Sequence, residues 1–171
     1  MADAPVATRG FTLIELMVTV AVLAILVTIA IPNFRTFLLN SRMASQANDV
    51  VTAFNLARSE AIKRAANVTV CASSDNATCT GTWNQGWVVR DAAGTVIRVQ
   101  QALSGGSTLS GGTDVASTIT FTSNGRTAIP ATATLASTTL TLCPPSPAIV
   151  QGRAIQIERT GRTRFATVAC P

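Results

Sequence analysis

The chain has 171 residues, a formal net charge of +5 at pH 7, four cysteines and no histidine or tyrosine. This length allows one modest globular domain with a single core, and an arginine-rich basic surface suits phosphate or carboxylate partners. Because histidine is absent, and neither paired carboxylates nor a phosphate-binding glycine loop occur, we predict that the protein is not an enzyme and needs no metal or cofactor.

The N-terminal residues 1–10 form a short polar leader with one arginine, and they precede the apolar run Phe11–Ile31. As a helix rising about 1.5 Å per residue, this run would be roughly 31 Å long, which matches the hydrocarbon core of a bilayer. A cleaved secretory signal has a shorter apolar core and a small-residue cleavage site after it, whereas this run is followed by Pro32. The simplest interpretation is an uncleaved signal anchor.

Two residues of this region are unusual for a membrane helix. An acid at the bilayer centre costs about 2.5–3.5 kcal/mol, so Glu15 is either a functional contact or a side chain that extends to the lipid headgroups. Pro32 removes one helix hydrogen bond and clashes with the Thr28 carbonyl, which predicts a bend or local melting that the Thr28 hydroxyl can help to satisfy. The alternative is that Pro32 marks the exit from the membrane.

Beyond Pro32 an apolar stripe continues at three- and four-residue steps, which predicts an amphipathic helix that packs on a β-sheet. Asn67 is the predicted terminator, so the whole helix would run from Phe11 to Ala66, about 84 Å. Because no heptad pattern is sustained, we reject a coiled coil. The predicted stripe consists of Phe34, Phe37, Leu38, Ala44, Ala47, Val51, Phe54, Ala57, Ala61 and Ala65.

From Val68 onward the apolar period changes to two, which predicts strands. The glycine pairs of Ser104–Thr113 predict a flexible loop, and the prolines of Cys143–Pro147 predict a connection or an edge. A long N-terminal helix on an antiparallel sheet is an α+β architecture. The predicted strands are Val68–Cys71, Gly86–Asp91, Thr95–Gln100, Ser117–Thr122, Leu135–Leu142, Arg153–Arg159 and Arg162–Ala169.

All four cysteines follow the apolar run, and an even number in an exported domain indicates two disulfides and an oxidising compartment. A zinc site is the weaker alternative, because there are no closely spaced cysteine pairs and no histidine. Of the three possible connectivities we favour Cys71–Cys79, which closes a small polar loop, and Cys143–Cys170, which ties down the C-terminal residues.

The last two predicted strands form a hairpin in which Thr160-Gly161 supplies the turn, since glycine adopts a positive φ at no steric cost. Strand alternation places Arg162 and Arg164 on one face and Phe165 on the other. Glu158 can neutralise one neighbour across the strands, so the residue pattern alone favours a solvated hairpin without a ligand.

The N-terminal residues resemble the class III signal of type IV pilins and type II secretion pseudopilins. The motif is Arg9-Gly10 followed by Phe11-Thr12-Leu13-Ile14-Glu15, the rest of the apolar run and Pro32. The resemblance implies that a prepilin peptidase cleaves between Gly10 and Phe11 and that Phe11 is then N-methylated. It also implies the type IV pilin fold, and that Glu15 pairs during assembly with the free amine of a neighbouring subunit's first residue.

Three further segments look like the FimT/FimU/GspH branch of this family: Phe54–Lys63, Ile119–Arg126 and the terminal sequence GRTR. FimT-type members carry a C-terminal GRxR motif implicated in DNA binding during natural transformation, and the residues that match it are Gly161, Arg162 and Arg164. Arginines that contact phosphates give sequence-independent, salt-sensitive binding of double-stranded DNA. The further candidates, by charge alone, are Arg126, Arg153 and Arg159.

The resemblance predicts a FimT-like minor pilin that takes part in pilus assembly and binds extracellular DNA. The alternative is a structural FimU-like minor pilin, or a GspH-like pseudopilin, that primes filament assembly without nucleic acid. The implied partners are other minor and major pilins and the prepilin peptidase. The implied location is the bacterial inner membrane, with the domain in the periplasm, and then the pilus at the cell surface. The predicted segments are the leader 1–10, the transmembrane and assembly helix 11–32, the amphipathic helix 33–66 and the β-rich domain 67–171.

Overall fold

The structure is a computed structural model that describes residues 10–112, 117–128, 137–147 and 149–170. The described residues form one long helix, a short 3₁₀ turn and eight strands in two antiparallel sheets, which confirms the predicted α+β class. The chain divides into two compact units, Met1–Leu38 and Leu39–Pro171, which are described separately.

The first unit contains the start of helix α1, which spans Leu13–Arg64. Thr12 caps the helix, because its Oγ1 accepts a hydrogen bond from the Glu15 backbone N–H at 3.3 Å. Glu15 therefore lies in the first turn, where a carboxylate also interacts favourably with the positive end of the helix dipole. Among the described residues, α1 is the helix that is long and apolar enough to cross a membrane.

Helix α1 continues through Pro32 without interruption, so the predicted local melting is wrong. The proline removes only one main-chain hydrogen bond, and the turns on either side of it keep theirs. Side chains also bond to backbone in this segment: the Thr28 hydroxyl donates to Ile25 O at 2.7 Å, and Asn33 Nδ2 donates to Ile29 O at 3.1 Å. The Thr28 hydroxyl thus bonds one turn back along the helix instead of satisfying the carbonyl that faces Pro32.

In the second unit, the buried face of α1 differs by one position from part of the predicted stripe. The prediction holds at Ala47 and Phe54, but Ala44 is exposed and Met43 is fully buried. An alanine-rich helix has small apolar residues on several faces, so periodicity alone leaves the contact face ambiguous. Ala65 is also exposed, as are the predicted stripe residues of the first unit, Phe34, Phe37 and Leu38. The buried residues of α1 are Met43, Gln46, Ala47, Val50, Ala53, Phe54, Ala57 and Ala61.

Helix α1 ends at Arg64, two residues before the predicted end. Ala65 has φ +49° and its N–H bonds to Ile62 O, while the Ala66 N–H bonds to Ala61 O, each at 3.2 Å. This pair of bonds is a Schellman motif, in which the residue after the helix is left-handed. The terminating residue is therefore Ala65 and not Asn67.

The first sheet has the strand order β3-β2-β1-β5 and the second has the order β4-β6-β7-β8, both antiparallel. One sheet was predicted, because strand patterns do not reveal which strands pair. The strands of the first sheet are β1 Val68–Ala72, β2 Gly86–Asp91, β3 Val96–Gln101 and β5 Thr118–Phe121. Those of the second are β4 Thr108–Gly111, β6 Ser137–Cys143, β7 Gly152–Glu158 and β8 Thr163–Val168.

Strand β4 lies inside the segment that was predicted to be a flexible loop. Leu109 is buried and pairs with Leu142 of β6. Its N–H donates to Asn84 Oδ1. Asn84 lies in the 3₁₀ turn Trp83–Gln85, and this turn was also not predicted. Glycine pairs on both sides obscured this strand, because they are read as turn signals in the sequence.

One apolar core joins the helix of the second unit to both sheets. Phe54 of α1 contacts Phe121 of β5, with ring centroids 6.4 Å apart, and Leu140 and Ile155 of the second sheet are fully buried in the same cluster. The core therefore fixes the ends of β5 and β7, from which the site described below is built.

Both disulfides form in the favoured pairing, Cys71–Cys79 with a Cα–Cα distance of 5.3 Å and Cys143–Cys170 with 5.8 Å. The second bond joins the C-terminal residues to the end of β6. The C-terminal hairpin β7–β8 is thus tied down close to its open end.

Candidate nucleic-acid interface

The predicted hairpin turn between β7 and β8 is present. In this segment, the β7–β8 turn (Glu158–Arg162), the Gly161 N–H donates to Glu158 O at 2.8 Å. The Glu158 N–H donates to Arg162 O at 2.9 Å, and Gly161 has φ +78°. The glycine therefore supplies the left-handed residue that the turn requires.

A second turn with the same hydrogen bonds follows β5. In this β5 turn (Thr122–Arg126), the Gly125 N–H donates to Thr122 O and the Thr122 N–H donates to Arg126 O, each at 2.8 Å. Gly125 has φ +74°, and Asn124 Oδ1 accepts the Arg126 N–H at 3.1 Å. The turn ends on an arginine, as the β7–β8 turn does.

The two turns are in contact. A Cβ built on Gly161 would overlap the carbonyl oxygen of Gly125, so only glycine fits at this contact. The buried Thr127 joins them further, because its N–H donates to Arg159 O at 3.1 Å and its hydroxyl donates to Glu158 O at 3.0 Å. Gly161, which the GRxR resemblance placed at the DNA, thus has a packing role between two turns.

Arg58 of helix α1 lies between the helix and the two turns. It is half-buried, and its Nη1 donates to Gly161 O at 3.3 Å. A Cβ built on Gly125 would lie 3.2 Å from Arg58 Nε and 2.7 Å from Ile62 Cδ1, so the helix surface contacts the β5 turn as well. The guanidinium therefore lies where helix and both turns meet.

Three arginines of the two turns and the strand after them are exposed: Arg126, Arg162 and Arg164. Arg164 forms an ion pair with Glu158, with Nε 2.7 Å from Oε1, although 58% of its side chain remains exposed. Within the described residues, the side chains of Arg126 and Arg162 have no hydrogen bond or ion pair. Arg159 is half-buried in the β7–β8 turn. We call the two turns, together with Arg58 and Arg164, the arginine corner. This corner of the domain presents several positive charges, with the acid Glu158 among them.

Arg153 does not belong to this corner. It pairs with Thr167 of β8 and lies five residues before Glu158, about 17 Å along the strand. Its side chain lines a cavity of about 280 Å³ together with Ala44 and Phe165. Phe165 is 49% exposed, so it lies at the edge of the sheet and not in the core.

In the first unit, Gly10 and Phe11 precede helix α1 and are exposed, and Glu15 is exposed in its first turn. The bond between Gly10 and Phe11 is therefore in an open part of this unit. Across the described ranges, no group of three or more His, Cys, Asp or Glu side chains could hold a metal ion.

Sequence reasoning missed Arg58, Gly125 and Thr127 as parts of this corner. The sequence did contain a signal for the second turn. Residues 122–127 (TSNGRT) and residues 158–163 (ERTGRT) have glycine, arginine and threonine at the same three positions. The contact between those segments depends on how the two sheets meet, which the sequence pattern does not contain.

Two family models match the chain. One is described as type II transport protein GspH and matches residues 46–161. The other is described as a prokaryotic N-terminal methylation motif and matches residues 7–31. The first match covers the second unit from Gln46 to Gly161, and the second match covers the last four residues of the predicted leader and the apolar run.

Solved structures with the same fold include the type IV minor pilin FimU of Pseudomonas aeruginosa. It is 21% identical and has a TM-score of 0.59, covering 76% of this chain and 92% of that chain. The minor pseudopilin EpsH of the Vibrio cholerae type 2 secretion system is 14% identical and has a TM-score of 0.52, covering 74% of this chain and 97% of that chain. At these identities the likeness concerns the fold, and it confirms the predicted one.

One curated relative is similar over a short segment. The type IV major pilin protein PilA of Myxococcus xanthus is 43% identical over 51 residues, which is 30% of this chain and 23% of the relative. The match therefore spans about a quarter of that protein's length.

Proposed function

Because the chain belongs to the GspH family of minor pilins and pseudopilins, which act in pilus or secretion assembly, we propose that it is a FimT-like minor type IV pilin that binds extracellular DNA during natural transformation. The binding surface is the β7–β8 turn together with the start of β8, with Arg162 and Arg164 as the residues that contact the phosphates. The observation that carries the proposal is the exposure of both guanidinium groups at one rigid corner.

The chemistry of the corner fits a phosphate backbone. A guanidinium remains charged at every physiological pH and donates hydrogen bonds in a planar fork that matches phosphate oxygens. Each phosphate neutralised on duplex DNA releases condensed counterions, so the affinity depends on salt and not on sequence. The net charge of +5 adds long-range attraction to the same polyanion.

The test measures binding of the full chain, in micelles of a neutral detergent, to a fluorescent mixed-sequence DNA duplex over a salt series. The Arg162→Ala/Arg164→Ala variant should bind more weakly, and the slope of log K against log salt should fall by up to about 1.8, or about 0.9 for each lost phosphate contact. Two contacts are lost only if both arginines reach phosphates in the complex.

The matched control is Arg42→Ala/Arg98→Ala, which removes the same charge from helix α1 and from β3, away from both turns. If this control weakens binding as much as Arg162→Ala/Arg164→Ala (the hairpin variant) does, the affinity reflects net charge alone and the assigned surface is wrong. If the hairpin variant binds as tightly as the unmodified protein at every salt concentration, the DNA role is wrong.

We further propose the assembly roles that the N-terminal motif implies. A prepilin peptidase removes the leader 1–10, Phe11 becomes the methylated N-terminus, and Glu15 pairs with the free amine of a neighbouring subunit. Segment 11–32 anchors the chain in the inner membrane before assembly, with segments 33–66 and 67–171 on the periplasmic side. The match to the N-terminal methylation motif and the apolar helix support this proposal.

The second candidate function is purely structural: a FimU-like adaptor in the pilus tip, or a GspH-like pseudopilin of type II secretion. The observation that favours it is the 2.7 Å ion pair between Glu158 and Arg164, which neutralises one of the two proposed DNA contacts. Neighbouring genes for pilus and competence components, against genes for secretion components, distinguish these assignments. The DNA-binding series above separates both of them from the leading proposal.

A further inference from the structure

Two segments far apart in the sequence share one pattern. Residues 122–127 read TSNGRT and residues 158–163 read ERTGRT, so the glycine, arginine and threonine fall at the same places in each. Both segments leave a strand of the domain, β5 in the first case and β7 in the second. The resemblance extends from sequence to backbone, because both turns make the same two hydrogen bonds and both glycines are left-handed.

These turns also form one rigid unit. A methyl group on Gly161 would overlap the Gly125 carbonyl oxygen, and a methyl group on Gly125 would meet the Ile62 side chain of helix α1. Thr127 adds two hydrogen bonds, one to Arg159 O and one to Glu158 O. Because the turns have equal geometry and are held side by side, Arg126 and Arg162 occupy equivalent positions, and both are exposed.

We infer that Arg126 and Arg162 form a single composite phosphate-binding site, which Arg58 positions from beneath. This inference rests on the proposed DNA-binding function and adds to it a second binding residue and a positioning residue. The ligand is the phosphodiester backbone of duplex DNA. Two exposed guanidinium groups on adjoining turns suit a chain of repeated anions better than one small anion, and they contact phosphates without reading bases.

Arg58 is a positioning residue because it touches the turns and is half-buried beneath them. Its Nη1 donates to Gly161 O, and its Nε lies against the Gly125 position. The guanidinium thus bonds to the β7–β8 turn and lies next to the β5 turn. A lysine keeps the charge but has a single donor group and no planar fork, so it is a poor substitute at such a contact.

The first measurement compares Arg126→Ala, Arg162→Ala and the control Arg42→Ala in the full chain, with the same duplex and salt series. Arg42 lies about 24 Å from Arg58 along helix α1. We expect Arg126→Ala and Arg162→Ala to weaken binding by similar factors, each lowering the slope of log K against log salt by about 0.9. Arg42→Ala should leave that slope unchanged.

The second measurement is a double-mutant cycle with Arg58→Met, whose unbranched stem preserves packing. If Arg58 acts through the turns, Arg58→Met weakens binding in the unmodified chain but has no further effect in the Arg126→Ala/Arg162→Ala background. If Arg58 contacts DNA itself, it costs the same factor in both backgrounds, and the positioning role is wrong. If Arg58→Met lowers the melting temperature severely, Arg58→Lys replaces it in the cycle. The positioning role predicts that Arg58→Lys binds duplex DNA more weakly than the unmodified protein does.

The outcomes separate this inference from the proposed function. When the unmodified chain binds DNA, and the hairpin variant Arg162→Ala/Arg164→Ala does not, the proposed function stands. If in that case Arg126→Ala behaves like Arg42→Ala, the composite site alone is overturned. Failure of the unmodified chain to bind duplex DNA overturns both.

Discussion

Glu158 has two different roles at the scale of the single residue. Its backbone closes the β7–β8 turn and accepts the Thr127 hydroxyl, whereas its carboxylate pairs with Arg164 and accepts the Thr160 hydroxyl at 3.3 Å. The backbone role is independent of the side chain. The carboxylate therefore competes with any phosphate for Arg164, and it can be removed without changing the turn.

We predict that Glu158→Gln strengthens DNA binding. Exposed ion pairs are worth about 0.2–1 kcal/mol, so freeing Arg164 should raise the affinity by up to about fivefold at low salt. The measurement is the duplex titration described above. Asp49→Asn, which removes an acid from helix α1, is the control for net charge. Unchanged or weaker binding by Glu158→Gln would show that Arg164 does not contact the phosphates.

A second prediction concerns Gly161, whose contact with Gly125 leaves no space for a side chain. Gly161→Ala should lower the free energy of unfolding by about 2 kcal/mol or more, because it combines a left-handed φ with a steric overlap. Gly112→Ala is the control, since its Cβ would make an ordinary 3.5 Å contact with Thr139 O. Thermal unfolding of both variants checks the difference, and equal melting temperatures would contradict the packing role.

Among the structural elements, the small loop closed by Cys71–Cys79 is organised by one acid. Asp75 Oδ1 accepts the backbone N–H groups of Ala77 and Thr78 at 3.0 and 2.8 Å and the Ser73 hydroxyl at 2.9 Å. The Thr78 hydroxyl donates to Oδ2. These bonds, that of the Thr78 hydroxyl first, hold the pKa of Asp75 well below its usual value.

This lowered pKa predicts a pH dependence. Because the folded pKa of Asp75 is depressed, its stabilising contribution is complete above the unfolded value of about 3.9 and is lost as the pH falls below it. Asp75→Asn should lower the melting temperature at neutral pH and reduce the decrease that the unmodified protein shows on acidification. Melting temperatures measured from neutral to acidic pH test this, and two parallel curves would exclude Asp75 as a source of the acid sensitivity.

At the scale of the whole molecule, the two units carry separate proposed tasks. The first unit holds Glu15 and the apolar helix, and the second holds the arginine corner. If the tasks are separate, substitutions in one unit should leave the other task intact. Filament assembly and DNA binding are measured by separate assays, so variants of either unit can be scored for both tasks.

We predict that Glu15→Leu leaves the protein in the membrane fraction but strongly reduces its amount in sheared filaments. Leucine is apolar and a good helix former, so the variant removes the proposed partner of the neighbouring N-terminal amine without weakening membrane insertion. The reciprocal control is Arg162→Ala/Arg164→Ala, which should enter filaments normally. Immunoblots of membrane and filament fractions decide the matter, and normal incorporation of Glu15→Leu would refute the pairing.

Local patterns in the sequence were sufficient for much of the fold. The apolar run, the change of period at Val68 and the cysteine spacing predicted the helix, seven of the eight strands and both disulfides. They failed where a local signal was ambiguous: the glycine pairs hid β4, and the alanine-rich face of α1 left its buried side uncertain. Each correct prediction depended on residues that are neighbours in the chain, where periodicity and turn chemistry act.

The sequence by itself determined the apolar helix, the family motifs and the existence of a glycine–arginine turn near the C-terminus. Only the tertiary structure decided that a second such turn lies against it and that Arg58, 103 residues before Gly161, holds the pair. That arrangement also separated Arg153 from the other arginines. The physical reason is that a charged surface depends on which strand ends the core brings together, and long-range packing leaves no period in the sequence.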